Sequence, residues 1–357
     1  MVASTNVYDN EIRLNSAMRV LHSKIFKTDG SMRLEYEEYT DCPVCSSNTS
    51  NNYCTKDNFQ HVKCRTCGMV YINPRLNKAA TLDFYNSSVN EIYNEQKFHA
   101  SVEGESSDDR VNAQNIRLIA NFYARSNDNK TPLVGKKLIE IGCAKGYFLK
   151  QAKNLGSEVF GVELNKINAE IARNSFGDCI YDQDIFELCL PSDTFDIIYM
   201  RDVIEHIHNP LPFMEELSRL LKPGGMIFIE THNIDSLIHR LVGGKHTCLF
   251  GFEHPVHWSY KTLKLALEKS GIIVDKAHFE SMDLNVLTFL GYFRISTWTT
   301  IHPWKSNSLI TFLLRALSVP FRIPYINHLS SLPLALLANY FRAGSTMKVI
   351  GFKRSDK

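Results

Sequence analysis

Four cysteines near the start of the chain are spaced like the ligands of one metal ion. They form two Cys-x-x-Cys pairs, Cys42 with Cys45 and Cys64 with Cys67, with eighteen residues between the pairs. Each pair can direct two thiolates at one ion, and four thiolates complete a closed tetrahedral Zn²⁺ site. The spacing predicts a structural zinc in a small ribbon at about residues 40–75. Four separate thiols or disulfides are the alternative.

A second group of residues is typical of a turn that binds a small ligand. The apolar run at residues 137–141 is followed by Gly142 and Gly146, and then by residues 147–149, which suit a helix. Glycines let the backbone bend sharply and approach a ligand closely, and the N–H groups at a helix N-terminus face that ligand. The pattern predicts a buried parallel strand, a turn and a helix around a small-ligand site.

The spacing of this turn separates two classes of cofactor. A dinucleotide fingerprint reads G-x-G-x-x-G/A, and its third small residue keeps the helix close to the strand. If the fingerprint starts at Gly142 and Ala144, its third position is Tyr147. Because a tyrosine is too large for that close packing, the sequence disfavours nicotinamide or flavin binding.

The stretch resembles motif I of class I S-adenosylmethionine (SAM) dependent methyltransferases. That motif reads acid-x-G-x-G-x-G and is matched by Glu140, Gly142, Ala144 and Gly146, with alanine in place of the middle glycine. An ordinary βα turn can give the same short pattern, so the following segments matter. Glu163 ends a second apolar strand, where its carboxylate can accept hydrogen bonds from two ribose hydroxyls.

Later segments resemble the same family in the expected order. Residues 184–186 are similar to the segment after strand three, which implies an acid near the adenine amine and an apolar residue against the ring. Residues 195–202 resemble motif IV, and residues 220–229 resemble the helix end, turn and fifth strand. The resemblance covers about residues 113–280 and the last strand. It implies that SAM is bound by Glu140, Gly142, Ala144, Gly146, Glu163, Asp184, Ile185 and Met200.

Histidines after the fourth and fifth predicted strands are candidate catalytic bases. Methyl transfer from a sulfonium is an in-line displacement, so a base is needed only to take a proton from a hydroxyl or an acidic carbon. His206, His254 and His257 are the proposed bases, and His232 is a further candidate of the same kind. A histidine that only caps the next helix is the alternative.

Asp202, Glu205 and His206 form a D-x-x-E-H pattern. It resembles the metal-binding E-x-x-E-H of ubiquinone-biosynthesis O-methyltransferases. The resemblance implies a hard divalent ion that orients a catechol-like acceptor. An E-H pair at this place also occurs widely in the superfamily without a metal, and that alternative stays open.

The elements that must position these residues follow from the alternation of apolar runs and helical patterns. They predict an α/β fold with a doubly wound, mostly parallel, seven-stranded Rossmann-like sheet. Two further parts are a small N-terminal zinc ribbon and a helical insertion before the last strand. We expect an N-terminal region at residues 1–100 and a methyltransferase domain at 110–357, separated by the polar stretch 101–109.

The insertion, about residues 284–344, contains no Asp or Glu. Its charged residues are Arg294, Lys305, Arg315, Arg322 and Arg342. Arginines and prolines interrupt its apolar runs, so a bilayer-spanning helix is not expected. A basic, apolar surface suits an anionic membrane or a lipid-linked substrate. A lid over the active site or a dimer interface is the alternative.

The composition of the chain bears on whether it binds nucleic acid and on where in the cell it is expected. The 357 residues are 44% hydrophobic and 22% charged, with a net charge of +2, which gives no general attraction to nucleic acid. The start of the chain lacks a signal-peptide pattern and the nine cysteines are odd in number, so we expect a cytoplasmic protein, in contact with the inner face of a membrane if the insertion docks there.

The ribbon followed by a SAM fold resembles zinc-binding methyltransferases of deoxysugar and surface-glycan biosynthesis. The chain lacks their long C-terminal domain, so O-methylation is favoured over C-methylation. The expected acceptor is a saccharide, lipid-linked or quinone-like small molecule. One alternative is an RNA or protein methyltransferase that grips its substrate with the ribbon. The other is a non-catalytic SAM-fold binding protein.

Overall fold

The computed structural model describes residues 2–85, 89, 92, 107–127, 133–246, 248–280 and 340–355. The chain divides into two compact units that alternate along the sequence. The ribbon unit comprises Met1–Ala100, His232–Tyr260 and Phe279–Met347. The sheet unit comprises Ser101–Thr231, Lys261–His278 and Lys348–Lys357.

Strands and helices are numbered here in chain order. The strands are β1 Glu37–Glu38, β2 Ser50–Lys56, β3 Phe59–Cys64, β4 Val70–Ile72, β5 Arg75–Leu76, β6 Lys137–Ile141, β7 Glu158–Val162, β8 Ile180–Tyr181, β9 Phe195–Arg201, β10 Leu221–His232, β11 Val256–His257, β12 Ile272–Glu280 and β13 Thr346–Lys353. The described helices are α1 Val2–Ile25, α2 Lys78–Tyr85, α3 Ser107–Asn127, α4 Tyr147–Asn154, α5 Lys166–Phe176, α6 Pro210–Leu220, α7 Leu237–Val242 and α8 Tyr260–Lys269. Short 3₁₀ turns lie at Gly177–Cys179, Ile204–His206 and Gly243–Lys245.

The ribbon unit is built on a four-stranded sheet in the order β11-β4-β3-β2, with antiparallel neighbours. A two-residue turn joins β2 to β3, and its Asp57 and Asn58 have φ values of 50° and 67°. Positive φ at both positions matches the right-handed twist of a hairpin, and Asp and Asn tolerate it well. An apolar cluster packs beside this sheet, formed by residues that include Leu21, Ile25, Phe26, Phe59, Ile72, Phe84 and Phe252.

The sheet unit contains a seven-stranded sheet in the order β12-β13-β10-β9-β6-β7-β8. Strands β10, β9, β6, β7 and β8 pair in parallel, with Glu140 opposite Tyr199 and Glu230 opposite Arg201. The central strands are almost wholly buried, because helices cover a parallel sheet on both faces. The predicted doubly wound, mostly parallel, seven-stranded sheet is confirmed. Its last strand, β13, lies between the fifth, β10, and the sixth, β12.

Residues 232–260 follow the fifth strand of the sheet but belong to the ribbon unit. The link is strand β11, which pairs with β4 through Val256 opposite Tyr71 and His257 opposite Val70. The predicted insertion, up to residue 339, lies outside the described residues, as does most of the polar stretch 101–109. Within the described ranges, no helix has the length and apolarity required to cross a bilayer.

Candidate functional site

The turn after β6 has the backbone geometry that the sequence predicted. Gly142, Ala144 and Gly146 have φ values of 74°, 45° and 79°, and α4 begins at Tyr147. A Cβ atom on Gly142 would lie 2.6 Å from Cγ2 of Val203, and one on Gly146 would lie 2.6 Å from Cε2 of Phe176. Glycine is therefore required at both positions by conformation and by space.

Glu163 holds this turn from the end of β7. One carboxylate oxygen accepts a hydrogen bond from the Ala144 N–H at 2.8 Å, and the other accepts one from the Asn165 N–H at 2.7 Å. Burial raises the pKa of Glu163, and these two N–H donors oppose that shift. The acid expected to bind ribose therefore lies directly beside the glycine turn.

Glu140 is fully enclosed beneath the turn. Burial holds the pKa of its carboxyl well above the ordinary value, with Arg201 opposing the shift and Glu163 adding to it. Its Oε2 atom has no hydrogen-bond partner among the described residues. Because buried polar atoms are nearly always paired, an unpaired one next to the turn fits a site completed by a bound polar ligand.

In the segment after β8, the neighbouring residues Ile185 and Phe186 differ in exposure. Asp184 accepts a hydrogen bond from the Phe186 N–H at 3.0 Å. Ile185 is 3% exposed and packs in the core, whereas Phe186 is 50% exposed and Leu164 is 61% exposed. Phe186 and Leu164 are thus free to contact a flat ring. Met200 lies in β9 and is fully buried.

Asp202, Glu205 and His206, which follow β9, do not form one metal site among the described residues. Glu205 is buried, its carboxylate accepts a hydrogen bond from the Thr231 hydroxyl at 2.9 Å, and burial raises its pKa to about 8. Among the described residues, Asp202, Glu205 and His206 are not one of the sets whose ligand atoms lie within 4.8 Å of one another.

The three predicted catalytic histidines fall in two units, with His206 in the sheet unit and His254 and His257 in the ribbon unit. His257 is buried in β11, and its Nε2 lies 3.0 Å from Nδ1 of His61. Nδ1 of His254 donates to the Cys248 carbonyl at 2.9 Å. The same nitrogen lies 3.4 Å from Nε2 of His232. These contacts fix the orientation of the rings in the ribbon unit.

Sequence reasoning missed three buried histidines of the ribbon unit. Burial lowers the pKa of His61 to about 3, of His239 to about 4 and of His246 to about 3. Nε2 of His239 lies 2.9 Å from the Tyr53 hydroxyl, and the Cys248 N–H donates to Nδ1 of His246 at 3.1 Å. The density of histidines in residues 232–257 was the signal that could have found two of them.

The four cysteines lie together in the ribbon unit, and their sulfurs are within 4.8 Å of one another. The Cys42 and Cys67 sulfurs are 3.4 Å apart, and those of Cys45 and Cys64 are 3.5 Å apart. A tetrahedral site with Zn–S bonds of about 2.3 Å separates its sulfurs by roughly 3.8 Å. The cluster is therefore compatible with one four-coordinate zinc.

Comparison with known proteins agrees with this geometry. Residues 109–276 match a family model described as a methyltransferase domain. The glycine turn, Glu163 and strands β6 to β10 fall in the same region, so this part of the chain is similar to that methyltransferase domain.

Proteins similar in sequence to this chain include ubiquinone biosynthesis O-methyltransferases. The protein of Pelagibacter ubique (strain HTCC1062) is 31% identical over 135 residues, which are 36% of this chain and 55% of that protein. The protein of Sinorhizobium medicae (strain WSM419) is 27% identical over 145 residues, 39% of this chain and 56% of that protein. The chain thus spans about half the length of the relatives it matches.

Solved structures also resemble the chain. A SAM-dependent methyltransferase from Archaeoglobus fulgidus has a TM-score of 0.46 at 21% identity, covering 72% of this chain and 99% of that one. An S-adenosylmethionine-dependent methyltransferase from Mesorhizobium loti has a TM-score of 0.39 at 17% identity, covering 62% and 92%.

Proposed function

We propose that this chain transfers the methyl group of SAM to a hydroxyl oxygen of a small-molecule acceptor, which is a saccharide, a lipid-linked compound or a quinone-like compound. The observation that supports this most is the match of its methyltransferase region to relatives named ubiquinone biosynthesis O-methyltransferase. The match is partial, so the acceptor class is part of the proposal.

The residues around the turn have the chemistry that SAM binding needs. The backbone at Gly142 and Gly146 lets the cofactor approach closely, and the Glu163 carboxylate suits the ribose hydroxyls. Leu164 and Phe186 are exposed apolar side chains that suit the adenine ring, with Asp184 near its amine. Glu140, Ala144, Ile185 and Met200 would line the site through buried or backbone atoms. Bound SAM supplies a methyl group activated by a positively charged sulfur.

His206, His254 and His257 remain the proposed bases from the sequence. His254 and His257 are each held by a neighbour, the Cys248 carbonyl and the His61 ring. Burial keeps the pKa of His257 well below its ordinary value, so this imidazole is neutral at pH 7. Because a general base works best with a pKa near the working pH, this lowered pKa makes His257 a poor proton acceptor.

SAM binding is tested by titration calorimetry on the wild type and on Glu163→Ala. Loss of the carboxylate should weaken binding by about 1–3 kcal/mol, because the ribose hydroxyls lose their acceptor. Glu170→Ala is the matched control, since Glu170 is exposed on α5. An unchanged affinity in Glu163→Ala would remove Glu163 from the cofactor site.

Methyl transfer is tested with SAM carrying a radiolabelled methyl group and three acceptor fractions, which are a metabolite extract, total RNA and total protein. We expect label in the metabolite extract. The labelled product should be a methyl ether, which, unlike a methyl ester, is not hydrolysed by acid or base. Label in RNA or protein would replace the proposed acceptor class. SAM binding without transfer to any fraction would favour a non-catalytic binding protein.

For the insertion at residues 284–344 we propose reversible docking on an anionic membrane, argued from its sequence. Each basic residue near an anionic leaflet contributes roughly 1 kcal/mol, and salt screens that attraction. The protein should co-sediment with vesicles that contain phosphatidylserine at low salt, and less at high salt. Arg315→Glu with Arg322→Glu should abolish binding. A wild type that ignores the vesicles at every salt concentration would favour a lid or an oligomer contact.

A further inference from the structure

A row of acidic and basic residues crosses the sheet unit, near the carboxyl ends of β6, β9 and β10 and near the amino end of β13. Lys348, Glu230, Arg201 and Glu140 lie on β13, β10, β9 and β6, which are adjacent in that order. Glu230 is opposite Arg201, and Glu140 is opposite Tyr199, two residues before Arg201. Paired residues of parallel strands point to the same face, so the side chains of Glu140, Arg201 and Glu230 share one face. Lys348 acts electrostatically on Glu230 from the neighbouring strand.

Helix α3 contributes an amide that holds Glu230 in this row. Asn115 is fully buried, and its side-chain N–H groups donate to Oε2 of Glu230 at 2.5 Å and to the Tyr199 hydroxyl at 2.9 Å. The amide oxygen of Asn115 has no hydrogen-bond partner within the described part of the chain. The carboxylate of Glu230 is therefore oriented by a rigid donor in a site with unused polar capacity.

The groups that face Glu230 oppose one another. Lys348 and Arg201 stabilise its charged form, as does the Asn115 donor, whereas burial and the neighbouring Asp202 destabilise it. The result is a pKa raised to about 7. Tyr199 and Glu205 complete the ionisable surroundings, and the pKa of each is raised by burial.

The other carboxyls around the turn and strand ends are less suited to accept a proton at neutral pH. Burial raises the pKa of Glu140 well above its ordinary value and that of Glu205 to about 8, and Glu205 also accepts a hydrogen bond from the Thr231 hydroxyl. Glu163 already accepts two backbone hydrogen bonds. Catalysis by a general base is most efficient when its pKa lies near the working pH, which Glu230 satisfies.

We propose that Glu230 is the group that takes the proton from the acceptor hydroxyl during methyl transfer. This rests on the proposed O-methyltransferase function. The hydroxyl proton passes to a carboxylate oxygen of Glu230 while the hydroxyl oxygen forms a bond to the methyl carbon. The carbon–sulfur bond breaks, and its electron pair stays on sulfur, which neutralises the sulfonium. Glu230 later releases the proton to water.

The test compares the wild type with Glu230→Gln in the labelled-methyl assay on the metabolite extract, from pH 5.5 to 8.5. Gln has the same shape and keeps an oxygen that can accept from Asn115, so the fold should survive. The wild-type rate should rise with pH and level off above about 7. The variant should be slower by roughly 10²- to 10⁴-fold and should lose that rise. SAM affinity by calorimetry should stay within twofold.

Two further variants make the result specific. Glu215→Gln is the matched control, because Glu215 is exposed on α6, and it should keep the wild-type rate and pH profile. His206→Asn tests the rival base. If it abolishes the pH rise while Glu230→Gln retains both rate and rise, the assignment to Glu230 is overturned. If Glu230→Gln fails to bind SAM, Glu230→Asp is tested in its place. Glu230→Asp should show a reduced rate, and its rise in rate should occur at a different pH. A rate and pH profile equal to those of the wild type would overturn the assignment.

Failure of the two proposals can be told apart. If the wild type labels no small molecule, the O-methyltransferase function fails, and the role of Glu230 fails with it. If the wild type labels an acceptor and Glu230→Gln does so at the same rate with the same pH profile, only the role of Glu230 is lost.

Discussion

One added methyl group at Gly142 should disturb the turn that follows β6. The new Cβ would lie 2.6 Å from Cγ2 of Val203, and the φ of 74° is costly for any residue with a Cβ, by about 1–2 kcal/mol. Gly142→Ala should therefore weaken SAM binding and lower the melting temperature. Calorimetry and thermal unfolding measure these two effects.

The two causes at Gly142 can be separated with a second substitution. Val203→Ala removes the atom that the new methyl group meets, so Gly142→Ala with Val203→Ala should recover part of the loss and keep the part due to φ. If the double variant recovers neither SAM affinity nor melting temperature, the close contact with Val203 does not contribute to the effect of Gly142→Ala.

At the scale of single elements, the two Cys-x-x-Cys turns should carry one zinc ion per chain, measured by elemental analysis of the purified protein. Cys64→Ser removes one of four ligands and should reduce both zinc content and the free energy of unfolding, because metal binding contributes to folding. Cys189→Ser is the matched control, since Cys189 is exposed. Full zinc occupancy in a Cys42→Ser, Cys64→Ser double variant would exclude this site.

Strands β3 and β11 are linked by a pair of buried imidazoles, His61 and His257, and this link should make the ribbon unit sensitive to acid. Burial lowers the pKa of both rings, so the unfolded chain binds protons that the folded chain cannot. The stability that the two neutral histidines contribute is fully present above their unfolded-state pKa of 6.5. It is lost as the pH falls towards their pKa values in the folded state. For His61, with a folded pKa of about 3, the loss between pH 6.5 and 5 is about 2 kcal/mol.

The acid effect is measured by urea unfolding of the wild type and a His61→Leu, His257→Leu variant at pH 7 and pH 5. The variant should lose less stability between these two values, because two of its titrating groups are gone. Asp57 acts in the opposite direction, since burial raises its pKa to about 6, and it is present in both proteins. Equal losses in the two proteins would contradict the role of the histidine pair.

Local patterns predicted the elements of the sheet unit well, since its strands are short apolar runs and its turn needs glycine at Gly142 and Gly146. They did not separate Ile185 from Phe186, because the alternation of faces is lost in the turn after β8. The contact between His61 and His257 could not be predicted from sequence patterns either. The two residues are 196 positions apart, and β11 has two residues, too few to show a period.

Glu230 was missed for a different reason. It lies inside a run that predicts a buried strand, and a carboxylate there has no local pattern that marks it as paired. Its partners come from α3, β9 and β13, so only the assembled sheet brings Asn115, Arg201 and Lys348 to it. Sequence motifs identify residues in turns more readily than residues whose role depends on neighbouring strands.

For the whole molecule, the interleaving of the two units has a consequence during synthesis. The ribbon unit needs β11, which the ribosome makes after the first five strands of the sheet unit. Until residue 257 has emerged, β4 has an open edge and His61 lacks its partner. Nascent chains stalled so that residue 230 has left the exit tunnel should be cleaved by protease between residues 50 and 72. Chains stalled with residue 280 outside should resist. Equal resistance at both lengths would mean that the N-terminal strands are protected before β11 arrives. If only the longer chains resist, the emergence of the two-residue strand β11 sets the time at which the N-terminal strands become protected from degradation and from pairing with other chains.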